Sequence, residues 1–299
     1  MSEQLEVLDM EPTPCPLCGA AEAKTIYTDR IKGIANEFLI VRCSACSMAY
    51  TNPVPTTESV AHHYSSSSLQ AGLDAAHRKH SQEFLRSLSA QRMKSVEELC
   101  PPGKPRTNSW VRGKLLDVGC GFGEFAAFAQ ERGWQAYGTE LAPTRIEAAR
   151  QLLGKDRVFD TDVDGIPDGA GPFNVITTFH VLEHVRNPLA FLRRLRDLLT
   201  PSGWLVVEVP NLGALRVRLR KKPLANQLHV THFEPRTLRA VIEKSGFNVS
   251  RITGAENKGD PPSPLKRLSR RARLGLEEGI WRAFGVHLGT NLRAAAQKR

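Results

Sequence analysis

The chain has 299 residues, a length that suits one large and one small domain. Its content of 41% hydrophobic and 24% charged residues is typical of a soluble globular protein. It has no apolar run long enough to cross a bilayer, and its first stretch, MSEQLEVLDMEPTP, lacks the apolar core of a secretory signal; we therefore expect a cytoplasmic protein. The net charge of +10 is typical either of contact with nucleic acid, anionic membranes or phosphorylated small molecules, or of solvated basic helix faces.

Two CxxC pairs, Cys15/Cys18 and Cys43/Cys46, come first in the chain. Two such pairs, separated by the short strand signals KTIYTDR and EFLIVRC, predict a tetrahedral zinc site with four thiolate ligands. Four sulfur ligands close the coordination shell, so the zinc would be structural. We therefore expect a zinc ribbon over residues 1–55.

A polar stretch rich in Pro and Ser follows the ribbon and predicts a connector. After it, HSQEFLRSLSAQRMKSVEEL places apolar residues at helical spacing, and PPGKPRTNSWVRG then breaks the pattern. We expect 56–107 to hold a connector and a helix that packs on the next domain.

Strand and helix signals alternate through the domain that we expect over 108–299. The strand signals cover Lys114–Val118, Trp134–Thr139, Arg157–Phe159, Phe173–Phe179, Trp204–Val209 and Phe247–Ile252. The helix signals cover Glu124–Arg132, Thr144–Leu153, Pro188–Leu199 and Pro235–Lys244. Such alternation predicts an α/β fold with a doubly wound, mostly parallel sheet, which binds its ligands at the carboxyl ends of the strands.

A glycine-rich loop follows the first of these strands in LLDVGCGFGEF. Its glycines, Gly119, Gly121 and Gly123, have the spacing G-x-G-x-G, whereas dinucleotide-binding loops have G-x-G-x-x-G. Asp117 lies just before the turn, where its charge would repel a pyrophosphate and attract a cationic ligand. The loop therefore predicts a nucleotide-like ligand without a required phosphate.

Two further acids end neighbouring strands of the predicted sheet. Glu140 closes the second strand, where a carboxylate can accept both hydroxyls of a ribose. Asp162 follows the third strand, where it could accept an adenine amine. A ribose, an adenine and a positive charge near the loop describe S-adenosylmethionine better than NAD.

These motifs together resemble the class I S-adenosylmethionine-dependent methyltransferases over about Lys114 to Gly246. LLDVGCGFG looks like the first motif of that family, YGTEL like its ribose-binding acid, and FNVITTFHVLEHVRNP like its fourth strand and the loop after it, with Asn174 where the family commonly has Asp. The resemblance implies a Rossmann-like, seven-stranded sheet and direct displacement of the sulfonium methyl group. The ribbon ahead of this domain resembles a subgroup that includes deoxysugar C-methyltransferases.

The segment FHVLEHV lies at the end of the fourth strand. In the family, this segment lines the methyl-transfer cleft. His180 would face the cofactor, and a short helical turn would bring Glu183 and His184 near it. We expect His184 or His180 to act as a base or to contact the substrate; a structural histidine bonded to the backbone is the alternative. H-x-x-E-H can also be a metal site, which would need a third ligand and a helix.

A second group of histidines lies in NQLHVTHFEPRTL, just before the predicted helix at Pro235. The family often has a similar segment lining its substrate pocket, which makes His229 a candidate catalytic residue beside His184 and His180. His232 either contributes to the same pocket or holds the loop in place.

The last part of the chain is strongly basic, with an amphipathic helix expected at about 260–285. Three interpretations compete: a lid over the substrate cleft, an interfacial helix on anionic lipid at the inner membrane surface, and an RNA contact. After it, HLGTNLRAAAQKR resembles the last, antiparallel strand of the family sheet.

The sequence therefore predicts a methyltransferase that acts on a small molecule or a glycan, with nucleotide- or lipid-linked sugars among the candidate acceptors. An RNA methyltransferase, or a non-catalytic scaffold that binds through the ribbon and the basic segment, are the alternatives.

Overall fold

The computed structural model describes residues 5–31, 33–65, 74–75, 77, 79–99, 112–220, 228–255 and 289–299. The basic helix predicted at about 260–285 lies outside these residues. Among the helices described, none has both the length and the apolar character needed to span a membrane.

Thirteen strands are described. In chain order they are β1 (Met10–Glu11), β2 (Ala23–Arg30), β3 (Glu37–Cys43), β4 (Ala49–Thr51), β5 (Val54–Pro55), β6 (Lys114–Val118), β7 (Gln135–Thr139), β8 (Val158–Phe159), β9 (Phe173–Phe179), β10 (Leu199–Pro210), β11 (Thr231–His232), β12 (Phe247–Ala255) and β13 (Asn291–Lys298). The α-helices described are α1 (Thr57–Ser65), α2 (Gln82–Leu99), α3 (Glu124–Glu131), α4 (Pro143–Leu153), α5 (Pro188–Asp197), α6 (Leu215–Arg220) and α7 (Pro235–Lys244).

The main sheet has seven strands in the order β12-β13-β10-β9-β6-β7-β8. The five strands from β10 to β8 are parallel to their neighbours, and β13 runs antiparallel between β10 and β12. The chain leaves β6 towards β7 and β8 and then returns to β9 on the other side of β6. This reversal creates a crevice at the carboxyl ends of β6 and β9, the place where such sheets bind ligands. The predicted doubly wound α/β fold is confirmed.

Helix α1 occupies part of the segment predicted as a connector. Its sequence is polar, but Thr56 caps it, because the Thr56 Oγ1 accepts a hydrogen bond from the Ser59 N–H at 3.2 Å. A segment of polar composition thus forms a helix here because its first turn is capped.

The ribbon sheet has four strands in the order β11-β4-β3-β2. Its strands β2, β3 and β4 come from the N-terminal region, whereas β11 lies in the chain after the main-sheet strand β10. In the antiparallel pairing of β11 with β4, Thr231 faces Tyr50 and His232 faces Ala49. The sheet thus joins the segments that were predicted as separate domains, 1–55 and 108–299.

One apolar core continues across this junction. Buried ribbon residues such as Leu17, Met48 and Tyr50 belong to the same packed cluster as Leu182 and Phe233 of the main domain. The ribbon therefore packs against the main domain through a shared core and is not an independent domain.

Candidate functional site

The glycine loop lies directly against the segment that follows β9. Gly119 has φ 70, and a Cβ at this position would overlap the Val181 side chain. Gly121 has φ 59, and a Cβ there would meet no atom within 4 Å. The loop therefore packs on Val181 at one side and leaves open space at the other, which is the space available to a ligand.

Asp117 lies beneath this loop, in the interior of the protein. The side chain is buried, and its Oδ1 accepts a hydrogen bond from the Thr177 hydroxyl at 2.7 Å. Burial raises the pKa of Asp117 to about 7, against the opposing effect of that hydrogen bond. Asp117 thus joins β6 to β9 beneath the glycine loop, and the attraction of a cationic ligand by its charge stays a prediction.

Glu140 follows β7 and holds the loop. One carboxylate oxygen accepts the Gly121 N–H at 3.0 Å, and the other accepts the N–H groups of Leu141 and Ala142 at 2.8 and 3.0 Å. The carboxylate has four lone pairs and three of them accept these N–H groups, so one lone pair on the oxygen that faces Gly121 is left for a ribose hydroxyl. The predicted ribose-binding residue is therefore fixed in orientation at the carboxyl end of β7, beside Gly121.

Asp162 is exposed in the loop after β8. Its Oδ1 accepts the N–H groups of Asp164 and Gly165, both at 3.1 Å, which shapes the turn. Strands β6, β7 and β8 are neighbours in the sheet. Their carboxyl ends therefore bring three acids to the same edge of the sheet: Asp117, Glu140 and Asp162. The open space at Gly121 and the acid at the end of β7 fit an adenosyl ligand, so Gly121 and Glu140 are the residues whose placement fits S-adenosylmethionine. The cofactor contacts expected of Gly119, Gly123, Asp162, Asp117 and His180 stay predictions.

His180 is the first residue after β9, and its backbone is in the left-handed region with φ 60. A non-glycine residue is strained in this conformation and needs support from its surroundings. The His180 N–H donates to the Glu208 carbonyl at 2.8 Å, and the ring lies between the carboxylates of Glu183 and Glu208, at 3.2 and 3.3 Å. Burial opposes the charged ring, but the two carboxylates outweigh it and raise the pKa of His180 to about 9. A ring held in its charged form suits an organising role better than the predicted role of a base.

Glu208 is the charged centre of this region and was not among the residues predicted for the site. Its fully buried carboxylate in β10 pairs with Arg293 of β13, with Arg92 of α2 and with His180. Although burial favours the neutral form, Arg293 and Arg92 hold the pKa of Glu208 well below its usual range. The single acid inside the apolar run WLVVEVP was the available signal, because a charge in a buried strand needs partners.

His184 and His229 meet beside this network, with ring centroids 4.9 Å apart. The His184 Nδ1–H donates to the Leu228 carbonyl at 2.8 Å, which leaves its Nε2 as the atom with a free lone pair in the neutral ring. Burial, together with the nearby His184 and His232, lowers the pKa of His229 to about 2. Two of the three predicted catalytic histidines are therefore brought together.

His232 points towards the ribbon. Its Nε2 lies 3.1 Å from the Thr51 hydroxyl, and that hydroxyl donates to the His229 carbonyl at 2.8 Å. Burial lowers the pKa of His232 to about 4. His232 thus holds the loop in place, one of the two roles considered for it, and Thr51 of β4 positions the backbone of His229.

Glu183 completes the group formed by His184 and His229. The residue is 1% exposed, and its Oε2 has no hydrogen-bond partner among the residues that the structure describes. One potential ligand atom from each of Glu183, His184 and His229 lies within 4.8 Å of the other two. The 3₁₀ helix Leu182–His184 carries Glu183 and His184 but not His180, so FHVLEHV does not form a helical H-x-x-E-H site; His229 supplies the third potential ligand of this cluster from the other segment.

The four ribbon cysteines form a second cluster. The Sγ atoms of Cys15 and Cys46 are 3.4 Å apart, and those of Cys18 and Cys43 are 3.5 Å apart. Thiolates bound to one zinc ion in a tetrahedron are ~3.8 Å apart, so the cluster is slightly tighter than a loaded site and fits it. All four predicted zinc ligands come together.

Residues 79–252 match a protein family described as "Methyltransferase domain". Curated proteins similar to the chain include the ubiquinone biosynthesis O-methyltransferases of Bordetella avium, 26% identical over 58% of this chain and 74% of that protein, and of Xanthomonas axonopodis pv. citri, 27% identical over 58% and 75%. The family match covers more than half of the chain and falls on the sheet and loops described above.

Solved structures with the same fold include the 1,6-didemethyltoxoflavin-N1-methyltransferase of Burkholderia thailandensis, with a TM-score of 0.54, 17% identity and coverage of 91% of this chain and 99% of that one. The plantazolicin methyltransferase in complex with S-adenosylhomocysteine has a TM-score of 0.52, 20% identity and coverage of 79% and 92%. At these identities the likeness establishes the fold. Together with the family match and the loop geometry, it shows that the chain belongs to the methyltransferase domain family and is a class I S-adenosylmethionine-dependent methyltransferase.

Proposed function

We propose that this enzyme methylates a hydroxyl oxygen of a small-molecule acceptor that binds beside His184 and His229. The observation that carries the proposal is the position of these two half-buried rings, in the segments after β9 and before β11, with Val181 of the first segment packed on Gly119 of the cofactor loop. An acceptor that contacts the two rings would therefore lie next to the cofactor space.

One side of this crevice would bind the cofactor and the other side would bind the acceptor. When bound, S-adenosylmethionine would supply an activated methyl group to the acceptor oxygen: the carbon–sulfur bond breaks with its electron pair on sulfur, and the hydroxyl proton leaves to solvent water. Glu140 and the glycine loop would hold the adenosyl part, and His184 and His229 would orient the acceptor hydroxyl. Alignment of the reacting atoms and exclusion of water provide most of the rate enhancement in a displacement of this kind.

The names of the curated relatives support oxygen as the acceptor atom, since they are O-methyltransferases. Nucleotide- and lipid-linked sugars also carry hydroxyl groups, so the sugar prediction stays within this proposal. The lid, membrane and RNA interpretations of the basic segment concern residues outside those described and stay predictions, as does the expected cytoplasmic location.

A methyl-transfer screen tests the proposal. The purified chain and tritiated S-adenosylmethionine are incubated with phenols and catechols, nucleotide-linked sugars, lipid extracts and RNA, and the labelled bond is identified by mass spectrometry. We expect a methyl ether in a small-molecule fraction. Label confined to RNA, or to a nitrogen or carbon atom of the acceptor, would contradict the proposal.

Glu140→Gln is expected to weaken the binding of S-adenosylmethionine about 10- to 100-fold. The change removes the charge that accepts loop and ribose donors, and hydrogen bonds to charged groups contribute about 1.5–3 kcal/mol each. Isothermal titration with S-adenosylmethionine measures the effect. The control is Glu147→Gln on the exposed face of α4, which should bind like the wild type; equal affinity in both variants would remove Glu140 from the cofactor site.

His184→Ala and His229→Ala are each expected to lower turnover about 100-fold with little change in cofactor affinity, because misplacement of the acceptor acts on the chemical step. Initial rates with the acceptor found in the screen measure turnover, and titration with S-adenosylhomocysteine measures cofactor binding. His80→Ala, at an exposed position, is the matched histidine control. Wild-type turnover in both site variants would rule out their placement at the acceptor.

A further inference from the structure

We propose that Glu183, His184 and His229 bind a divalent transition-metal ion on the acceptor side of the crevice. One ligand atom of each residue lies within 4.8 Å of the others. Two ligands of one ion at ~2.1 Å from it are separated by at most ~4.2 Å, so small side-chain rotations bring all three into contact with a single ion.

The buried carboxylate of Glu183 points to a cation. Its Oε1 is 3.2 Å from the His180 Nδ1, whereas its Oε2 has no hydrogen-bond partner among the described residues although the residue is only 1% exposed. A buried acceptor without a donor is costly. An ion bound at Oε2 would satisfy that atom, and the contact to His180 would hold the carboxylate in place.

The two histidines have the arrangement expected of metal ligands. The Nδ1–H of His184 donates to the Leu228 carbonyl, so its Nε2 keeps the lone pair that binds a metal; a backbone carbonyl is a common outer partner of a ligating histidine. The Thr51 hydroxyl donates to the His229 carbonyl at 2.8 Å and fixes the backbone of the other ligand.

Two hydrogen bonds join the two segments that carry the ligands. The Val230 N–H donates to the Glu183 carbonyl at 2.9 Å, and the Thr231 hydroxyl donates to the Leu182 carbonyl at 3.1 Å. The segment 182–184 and the segment 228–231 are thus held in register. This frame preorganises the three ligands before an ion binds.

The ligand set indicates the class of ion. Two imidazoles and one carboxylate suit Zn²⁺, Fe²⁺, Co²⁺ or Mn²⁺, whereas Ca²⁺ and Mg²⁺ prefer oxygen ligands. Three protein ligands also leave coordination positions open, as in catalytic sites. The site differs in this respect from the four-cysteine cluster, whose thiolates would fill a tetrahedral shell.

The open positions give the ion a role that rests on the proposed function. An acceptor hydroxyl bound to the ion would lose its proton to solvent water more readily, because the cation stabilises the oxygen anion. That oxygen would then form the bond to the methyl carbon while the carbon–sulfur bond of the cofactor breaks, leaving a neutral thioether and a methylated acceptor.

Titration of Co²⁺ into the reduced, metal-free full chain tests the site. We expect the wild type to bind two equivalents, one with the thiolate-to-cobalt charge-transfer band of the cysteine cluster and one with visible bands alone. Glu183→Gln and His229→Ala are each expected to lose the second equivalent and to keep the first with its charge-transfer band. His80→Ala is the control and should bind two.

Saturation of the wild type at one equivalent, or of both site variants at two, would overturn the proposal. Binding of S-adenosylhomocysteine verifies that each variant is folded, and a variant that fails this check leaves the decision to the other one.

Methyl transfer in the same samples separates this proposal from the previous one. We expect the rate to fall at least about tenfold when the second equivalent is withheld, the scale of effects seen when metal-site residues are disturbed. An equal rate with one equivalent would remove the role of the ion and leave the proposed function intact. Two bound equivalents without methylation of any acceptor hydroxyl would overturn the proposed function and leave the metal site intact.

Discussion

Glu208→Gln is expected to lower the free energy of unfolding by about 3–5 kcal/mol, the cost of removing one partner from a buried ion pair. The carboxylate of Glu208 is fully buried and accepts hydrogen bonds from Arg293 and Arg92 while it faces His180. A neutral amide would leave these cations without their counter-ion in the interior. Urea unfolding followed by circular dichroism measures the change.

The chain offers a matched control in another Arg–Glu pair. Arg86 and Glu131 form a two-bonded ion pair, but their side chains are 63% and 50% exposed. Exposed pairs contribute little to stability because water and salt screen them. Glu131→Gln should therefore unfold at nearly the wild-type urea concentration. Equal midpoints for the two variants would contradict the view that Glu208 stabilises the sheet through its buried charge.

We expect the four ribbon cysteines to bind zinc, and Cys18→Ser to weaken that binding and to destabilise the ribbon. Cys18 is the exposed member of the cluster, so the change deletes a ligand without opening a cavity. A structural zinc site supplies on the order of 10 kcal/mol of apparent folding energy in small domains. We expect the charge-transfer band of the Co²⁺-loaded cluster to weaken sharply and the thermal midpoint to fall.

The loss should also reach the acceptor side. Strand β4 pairs with β11, and Thr51 holds the backbone of His229, so an unfolded ribbon would displace that residue and lower turnover. Ser44→Ala is the control, since Ser44 lies exposed between Cys43 and Cys46 and leaves all four ligands in place. Wild-type stability and turnover in Cys18→Ser would show that the cluster does not depend on a metal.

Much of the main sheet could be predicted from the sequence, because its strands are short apolar runs that end in glycine or polar residues. The predicted bounds Lys114–Val118 and Phe173–Phe179 are confirmed without change. The strand signal at Trp204–Val209 underestimated β10, which begins at Leu199 and contains a register shift before Trp204. Polar residues at the start of β10 broke the apolar pattern on which the prediction depended.

Contacts between distant segments could not be predicted from local sequence patterns. Strand β11 has two residues, too few for any periodicity, and its pairing with β4 is what fuses the ribbon to the main domain. The candidate site divides in the same way. The spacing in FHVLEHV and NQLHVTHF indicated His184 and His229 separately, whereas their proximity and the charges that surround His180 depend on the fold.

The late position of two strands in the chain has a consequence for biosynthesis. Strand β13 lies between β10 and β12 in the main sheet although it follows both in the chain. Strand β11 pairs with β4 in the ribbon sheet although it comes much later in the chain; the contact of Thr51 with His232 spans 181 residues. Until these strands leave the ribosome, β10 and β4 each expose an unpaired edge, and such edges template aggregation. Pairing over such distances is also slow. Each sheet therefore keeps an open edge until its late strand is synthesised, β11 for the ribbon sheet and β13 for the main sheet, and we expect chaperones to assist folding most during this interval.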